Sequence, residues 1–305
     1  MHYLGIDLAW GERNVTGLAA LESSGRLIAS GSVRSDDEIA NFVEQYTPGE
    51  VVAAIDAPLV VPNASGRREC EALLQADFGR YDAGAHSSNR SHAWFDPPRG
   101  ATLVARFGWE MDPEVAPAAG TSVAIEVYPH PAMVTLFDLD RVLPYKNKKG
   151  RTTSSRKAAF GKLMAATERL CDEPLQLSSS ARWAHLCSTV EAAQRPMHLS
   201  ALEDEVDAIF CAYLAWLWGH GDARLRVLGD VRRGYIVVPG PPDREAARGR
   251  TPASVGQRRG PVMLGLALRE RVADEALLRG LTDEELIASA LDALPEAGGR
   301  SRLPA

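Results

Sequence analysis

The sequence is poor in cysteine. Its four thiols, Cys70, Cys171, Cys187 and Cys211, are widely spaced and include no CxxC pair. That spacing tells against zinc sites whose ligands come in close pairs. Three of the four fall among helix-like apolar positions, where a reduced thiol acts as a small hydrophobe. No run of about eighteen apolar residues occurs, so no membrane span is expected. The N-terminus enters a strand pattern directly, without the basic and apolar regions of a signal peptide, and the cytoplasm is the expected location. Basic residues are not in excess either: 34 Lys and Arg against 40 Asp and Glu give a formal net charge of −6. That balance excludes a surface coated in positive charge but not a local basic groove, because binding follows the field near the site. Internal repeats are absent.

What is present is enough for one large domain or two small ones: 305 residues, 45% hydrophobic and 24% charged. Residues 2–10, 14–22 and 25–34 carry strand patterns separated by the turn-like "GERN" and "SSGR". They predict an antiparallel meander. "SDDEIANFVEQY" follows as a helix with Ser35 as N-cap and Glu38 closing a capping box. Residues 50–57 and 122–128 read as strands, the first covered on both faces. Between them, residues 60–120 form a long insertion in which "GRRECEALLQADFG" is helical and "DAGAHSSNRSHAWFDPPRG" is loop. Residues 200–220 give the strongest helical periodicity in the chain, and 224–229 with 234–238 suit a short hairpin. The expected layout is a domain over 1–239, a linker over 240–261 and a C-terminal helical extension over 262–305. Two helices are expected in that extension, at about 262–279 and 283–293, the second capped by Thr282 and Glu285.

Three apolar strands end in an acid: "YLGIDLAW" at Asp7, "VVAAIDAPL" at Asp56 and "SVAIEVYP" at Glu126. With the meander's first strand central and 50–57 beside it in parallel, the sheet order is 3-2-1-4-5 and the crossover right-handed. Asp7 and Asp56 then lie side by side beyond the carboxyl ends of adjacent strands, where open sheets bind ligands. Two close carboxylates in low dielectric need a cation or a shared proton, and Mg²⁺ or Mn²⁺ supplies oxygen-seeking charge. Asp204 and Asp207, three apart on the late helix, project from one face and offer a third source of acid. For Glu126 a buried salt bridge with an arginine of the insertion competes with metal contact.

"GIDLAW", "IDAPL", "EVYPHP" and "EDEVDAIFCAYLAW", in that order, resemble the ribonuclease H-like fold, in particular its branch of Holliday-junction resolvases. More closely they resemble the domain-of-unknown-function family 429, described as predicted ribonuclease H-like nucleases, over roughly residues 2–239. The resemblance implies a metal-dependent phosphodiesterase acting on nucleic acid through two Mg²⁺ or Mn²⁺ ions, with Asp7, Asp56 and Asp207 as ligands and Asp204 close behind. Glu126 departs from the minimal nuclease pattern, which does not demand an acid at the end of the fifth strand; an additional ligand or a residue orienting the attacking water are the site roles open to it. DNA or RNA is left open. The basic stretch "YKNKKGRTTSSRK", with Lys146, Lys148, Lys149 and Lys157, suits a phosphate backbone, as do Arg67 and Arg68 of the insertion. A solvated loop is the plain alternative for that stretch. His86, His92 and Arg90 belong to the same insertion, a length of loop that often serves as a lid. Two rival readings remain. One is a non-catalytic nucleic-acid-binding or scaffold member of the fold; the other is a phosphotransferase of the actin and sugar-kinase type. The second needs glycine-rich phosphate loops and a duplicated domain, and "GIDLAWGERN" has little glycine.

Overall fold

The N-terminal apolar stretch forms β1 (His2–Asp7), and two turns fold the chain back through β2 (Thr16–Leu21) and β3 (Leu27–Val33), each antiparallel to its predecessor. The structure is a computed structural model that describes residues 1–11, 13–170 and 175–243, with Val272 and Leu286 besides. After β3, the Ser35 hydroxyl accepts the Glu38 N–H and the Glu38 carboxylate accepts the Ser35 N–H, which starts α1 (Asp36–Tyr46) where the capping box is read. That helix crosses to β4 (Val51–Asp56), parallel to β1, and β5 (Val123–Glu126) is parallel to β4. The sheet order is β3-β2-β1-β4-β5, a mixed α/β topology as the strand patterns predict.

The insertion between β4 and β5 is more helical than its composition suggests. It holds α2 (Glu69–Phe78), as expected, and also α3 (Arg99–Phe107), which the glycine- and proline-rich sequence hides. Leu103 and Val104 anchor α3 in the core, and Gly108, at φ 65°, ends it in the left-handed conformation that glycine adopts readily. Beyond β5 come α4 (Pro129–Leu136), α5 (Thr153–Arg169), α6 (Ala181–Ala192), α7 (Pro196–Ser200) and α8 (Glu203–Gly219). The hairpin of β6 (Leu225–Asp230) and β7 (Gly234–Pro239) makes a separate two-stranded sheet. The second half of the basic stretch is therefore helix α5, capped by Thr152, rather than loop.

Strand alternation divides the interior. Tyr3, Val52, Ala54, Val123 and Ile125 join one apolar cluster with α8, while Leu4, Ile6, Ala53, Ile55 and Ala124 join the other with α1 and α3. Helix α8 lies across β1, β2 and β4. Two glycines allow that approach. A Cβ on Gly5 would stand 1.9 Å from the Ala208 carbonyl oxygen, and one on Gly17 would stand 1.8 Å from that of Asp204. Only hydrogen fits between sheet and helix backbone there.

Contacts divide the chain into two compact units, Met1–Arg248 and Gly249–Ala305. Most of the linker expected at 240–261 lies outside the described residues. So do the helices expected at 262–279 and 283–293 and the Thr282–Glu285 cap, Val272 and Leu286 excepted. Among the described residues no helix is long and apolar enough to cross a membrane.

The close approach is testable. Gly5→Ala is expected to lower stability in urea unfolding by about 2–3 kcal/mol, the range for overpacking a tight core. Gly31→Ala on β3, where a Cβ meets nothing within 4 Å, serves as control and should change stability by less than ~0.5 kcal/mol. Equal effects of the two substitutions would contradict the account.

Candidate acidic active site

Asp7 and Asp56 are paired residues at the ends of parallel strands β1 and β4. Both continue the phase of Tyr3, Val52 and Ala54, so both belong to the face that α8 covers. Helix α8, set close by Gly5 and Gly17, brings Asp204 and Asp207 from its first two turns to the same end of the sheet. Asp207 is fully buried. Four carboxylates from three elements thus share one corner.

One cation stands among them. Lys146 Nζ lies 2.6 Å from Asp207 Oδ2 and 3.5 Å from Asp7 Oδ2. The other Asp207 oxygen, Oδ1, accepts a 2.6 Å hydrogen bond from the Tyr145 hydroxyl, and His130 Nε2 lies 3.1 Å from that same hydroxyl. With the tyrosine proton given to Asp207, His130 completes the chain by donating from Nε2. Burial, reinforced by Lys146, lowers the His130 pKa to about 3 and keeps the ring neutral. The stretch that holds Lys146 suits phosphate or a solvated loop by its composition; in the folded chain the Lys146 ammonium is a counterion of the acidic corner. Tyr145 was not singled out at all.

The corner is short of positive charge. Burial raises the Asp7 carboxyl to about 7, with Asp207 and Asp204 adding to the rise and Lys146 opposing it. Burial likewise takes Asp204 to about 6 and Asp56 well above the ordinary carboxylate range, Asp7 adding to the latter. For Lys146 burial works against the ammonium, but Asp207 and Asp7 outweigh it and hold its pKa up. Other buried acids are matched differently. Arg68 serves Glu71 and Glu126, Arg156 serves Glu203, and Arg182 serves Glu205.

That matching decides between the two alternatives for Glu126 in favour of a buried salt bridge with an arginine of the insertion. Glu126 is level with Ile55 and so belongs to the opposite face from Asp7. Its carboxylate binds the Arg68 guanidinium at 2.6 and 2.9 Å and accepts the Leu59 N–H at 2.8 Å. Arg68 in turn binds Glu71 at 2.8 Å and is only 3% exposed, so it is an interior ion-pair partner rather than a surface phosphate ligand. Arg67, Lys148 and Lys149 are exposed, and the Lys157 ammonium donates to the Glu191 carbonyl.

A groove of about 600 Å³ opens onto Asp7 and Asp204 and is lined also by Trp10, Arg13 and Arg34. Neither arginine stands out in the sequence, because each is isolated from other basic residues, Arg13 in a turn and Arg34 directly after β3. The donor chemistry of the corner fits a hard divalent ion: all-oxygen carboxylates, and a buried Asp207 Oδ2 that receives no well-directed hydrogen bond. As the side chains stand, no three His, Cys, Asp or Glu among the described residues form a ready metal cage. Lys146 fills that role between Asp7 and Asp207, so an ion entering there would displace its ammonium.

Asp7, Asp56, Tyr145, Lys146, Asp204 and Asp207 all lie inside the segment 5–244 that matches the family model described as protein of unknown function (DUF429). The chain belongs to the DUF429 family. No curated protein and no solved structure matches it. What this DUF429 member does must therefore be argued from its own acidic corner.

The charge imbalance has a measurable sign. A carboxyl held near pH 7 in the folded chain and near 3.8 when unfolded binds its proton more tightly when folded, so its ionisation costs stability as pH rises from about 4 to 7. In EDTA, Asp7→Asn is expected to be more stable than wild type at pH 8, by on the order of 2 kcal/mol. The advantage should vanish near pH 4. A variant less stable than wild type at pH 8 would mean that Lys146 more than compensates the charge.

Proposed function

We propose that this protein is a metal-dependent phosphodiesterase acting on nucleic acid, built on a ribonuclease H-like sheet. One observation carries the reading. Acids from β1, β4 and α8 meet at the carboxyl end of the sheet with a single lysine among them, at the edge of a groove that also holds two arginines. Asp7, Asp56 and Asp207 would hold Mg²⁺ or Mn²⁺, with Asp204 next to them. When bound, such ions lower the pKa of an attacking water and stabilise the oxygen that leaves the phosphate.

The chain's own groups do the rest. Tyr145 and His130 fix Asp207 in one orientation by hydrogen bonds, the kind of support that ligating carboxylates need. Lys146, once released from the carboxylates, is a mobile cation beside the scissile phosphate. Arg13 and Arg34, both exposed in the groove, suit flanking phosphates, where guanidinium groups bind well. Glu126 and Arg68 hold the insertion against the sheet from inside.

A second reading, a nucleic-acid-binding member without catalysis, is favoured by one specific contact. Lys146 bridges Asp207 and Asp7, so that pair of acids already holds a cation where a metal would sit.

Cleavage separates the two. Wild type is expected to hydrolyse nucleic-acid strands in Mn²⁺, and Asp7→Asn should reduce the rate at least about a hundredfold with its circular dichroism spectrum unchanged. Equal rates would end the phosphodiesterase reading, and no cleavage by wild type in any divalent ion would favour the second. Tyr145→Phe deletes the hydroxyl that supports Asp207 and with it the His130 contact, while leaving every carboxylate of the corner in place. It is expected to weaken Mn²⁺ dependence by roughly tenfold, read as a shift in the half-saturating ion concentration.

A further inference from the structure

Most large apolar side chains of the described residues are covered. The exposed ones are Met1, Trp10, Leu73 and Met197. Trp10 is the only aromatic among these four, at 40% exposure, and the only one of them lining the groove beside Asp7. It is also the best supported. Its indole lies nearly parallel to that of Trp94, at 6.0 Å and 12°, and Trp94 lies nearly parallel to the His92 ring, at 4.9 Å and 17°. Buried Phe95 meets all three rings edge-on. The Trp94 indole N–H is buried without a hydrogen-bond partner, so a polar bond does not account for this ring's position. The loop of the insertion thus builds an aromatic stack that ends at Trp10, in the groove that Asp7 also lines.

We infer that Trp10 is a stacking platform for an unpaired nucleobase, so that the substrate is single-stranded nucleic acid or a strand with a splayed base. This rests on the phosphodiesterase reading for the phosphate position but stands on separate residues. An exposed ring, held in place by its neighbours, loses little conformational freedom when a base lies on it. Arg13 and Arg34 line the same groove and suit the strand's phosphates. Bases inside a duplex already stack on one another, so they offer such a ring no free face.

The test measures binding of fluorescein-labelled 12-nucleotide single strands, DNA and RNA, to the full chain in Ca²⁺ and again in EDTA. A strand of abasic sites and a 12-base-pair duplex serve as comparisons. Wild type should bind at least one base-bearing strand more tightly than its duplex. Trp10→Ala should weaken that binding roughly five- to fiftyfold while leaving the abasic strand unchanged, and Trp10→Phe should recover most of the loss. The inference is overturned if Trp10→Ala binds base-bearing strands as wild type does, if it loses abasic and base-bearing strands equally, or if wild type binds no strand in either condition. Cleavage in Mn²⁺ is scored separately on the same strands. Base-dependent binding without cleavage would sink the phosphodiesterase reading and leave the platform; cleavage with no effect of Trp10→Ala on binding would sink the platform alone.

Discussion

Like charges forced into one largely buried corner govern this molecule. Strand alternation gives Asp7 and Asp56 the same face at the same level, and the approach of α8 adds Asp204 and a fully buried Asp207. In a medium of low dielectric such a group cannot stay ionised without compensation, so each carboxyl either binds a proton or finds a cation. The fold provides one cation, Lys146, and it reaches two of the acids. The deficit that remains gives the corner an affinity for positive charge, and that affinity is the starting point of any function assigned to it.

The deficit would mean little if the whole interior were short of bases. It is not. Glu71, Glu126, Glu203 and Glu205 are buried as well, and each has an arginine whose planar fork binds carboxylate oxygens. A lysine at Asp207 is a different device. Its ammonium is a compact charge on a flexible stem, which can leave a carboxylate far more easily than a bidentate guanidinium can. The same chain thus pairs four buried glutamates with arginine and the buried Asp207 with a lysine.

Much of this was legible in the residues. The run of small apolar positions ending at Asp7 and again at Asp56, with a helix between, fixes both strands in parallel and in register, and the period of two then fixes the shared face. The same period could have set Glu126 apart. It follows Ile125, which shares a face with Ala54, so Glu126 is out of phase with Asp56 and turns to the other layer. Three acids at three strand ends looked alike because phase was not carried from strand to strand. The salt bridge open to Glu126 is the one that forms, with Arg68, but which arginine of the insertion serves it is not legible. Arg68 and Lys146 both stand in polar, basic stretches that read as surface, and only tertiary contacts with Glu126 and Asp207 draw them inward. The aromatic stack was hidden because Trp10 and Trp94 are far apart in sequence and meet only when the insertion folds over β1.

These parts explain why the insertion sits where it does. Glu126 is spent on Arg68, and Arg68 also binds Glu71 of α2 and the Val60 carbonyl, so one ion-pair network ties the start of the insertion to β5. Arg99, at the start of α3, binds Asp36 and the carbonyls of Ala9 and Arg34, tying its far end to the loops beside the groove. Between those two anchors the chain is left to present Trp94 against Trp10. Breaking either anchor would leave a buried or half-buried charge unpaired, a change that typically costs several kcal/mol for a fully buried pair. The interior salt bridges, not the exposed lysines, are therefore what hold the aromatic stack in register with the acidic corner.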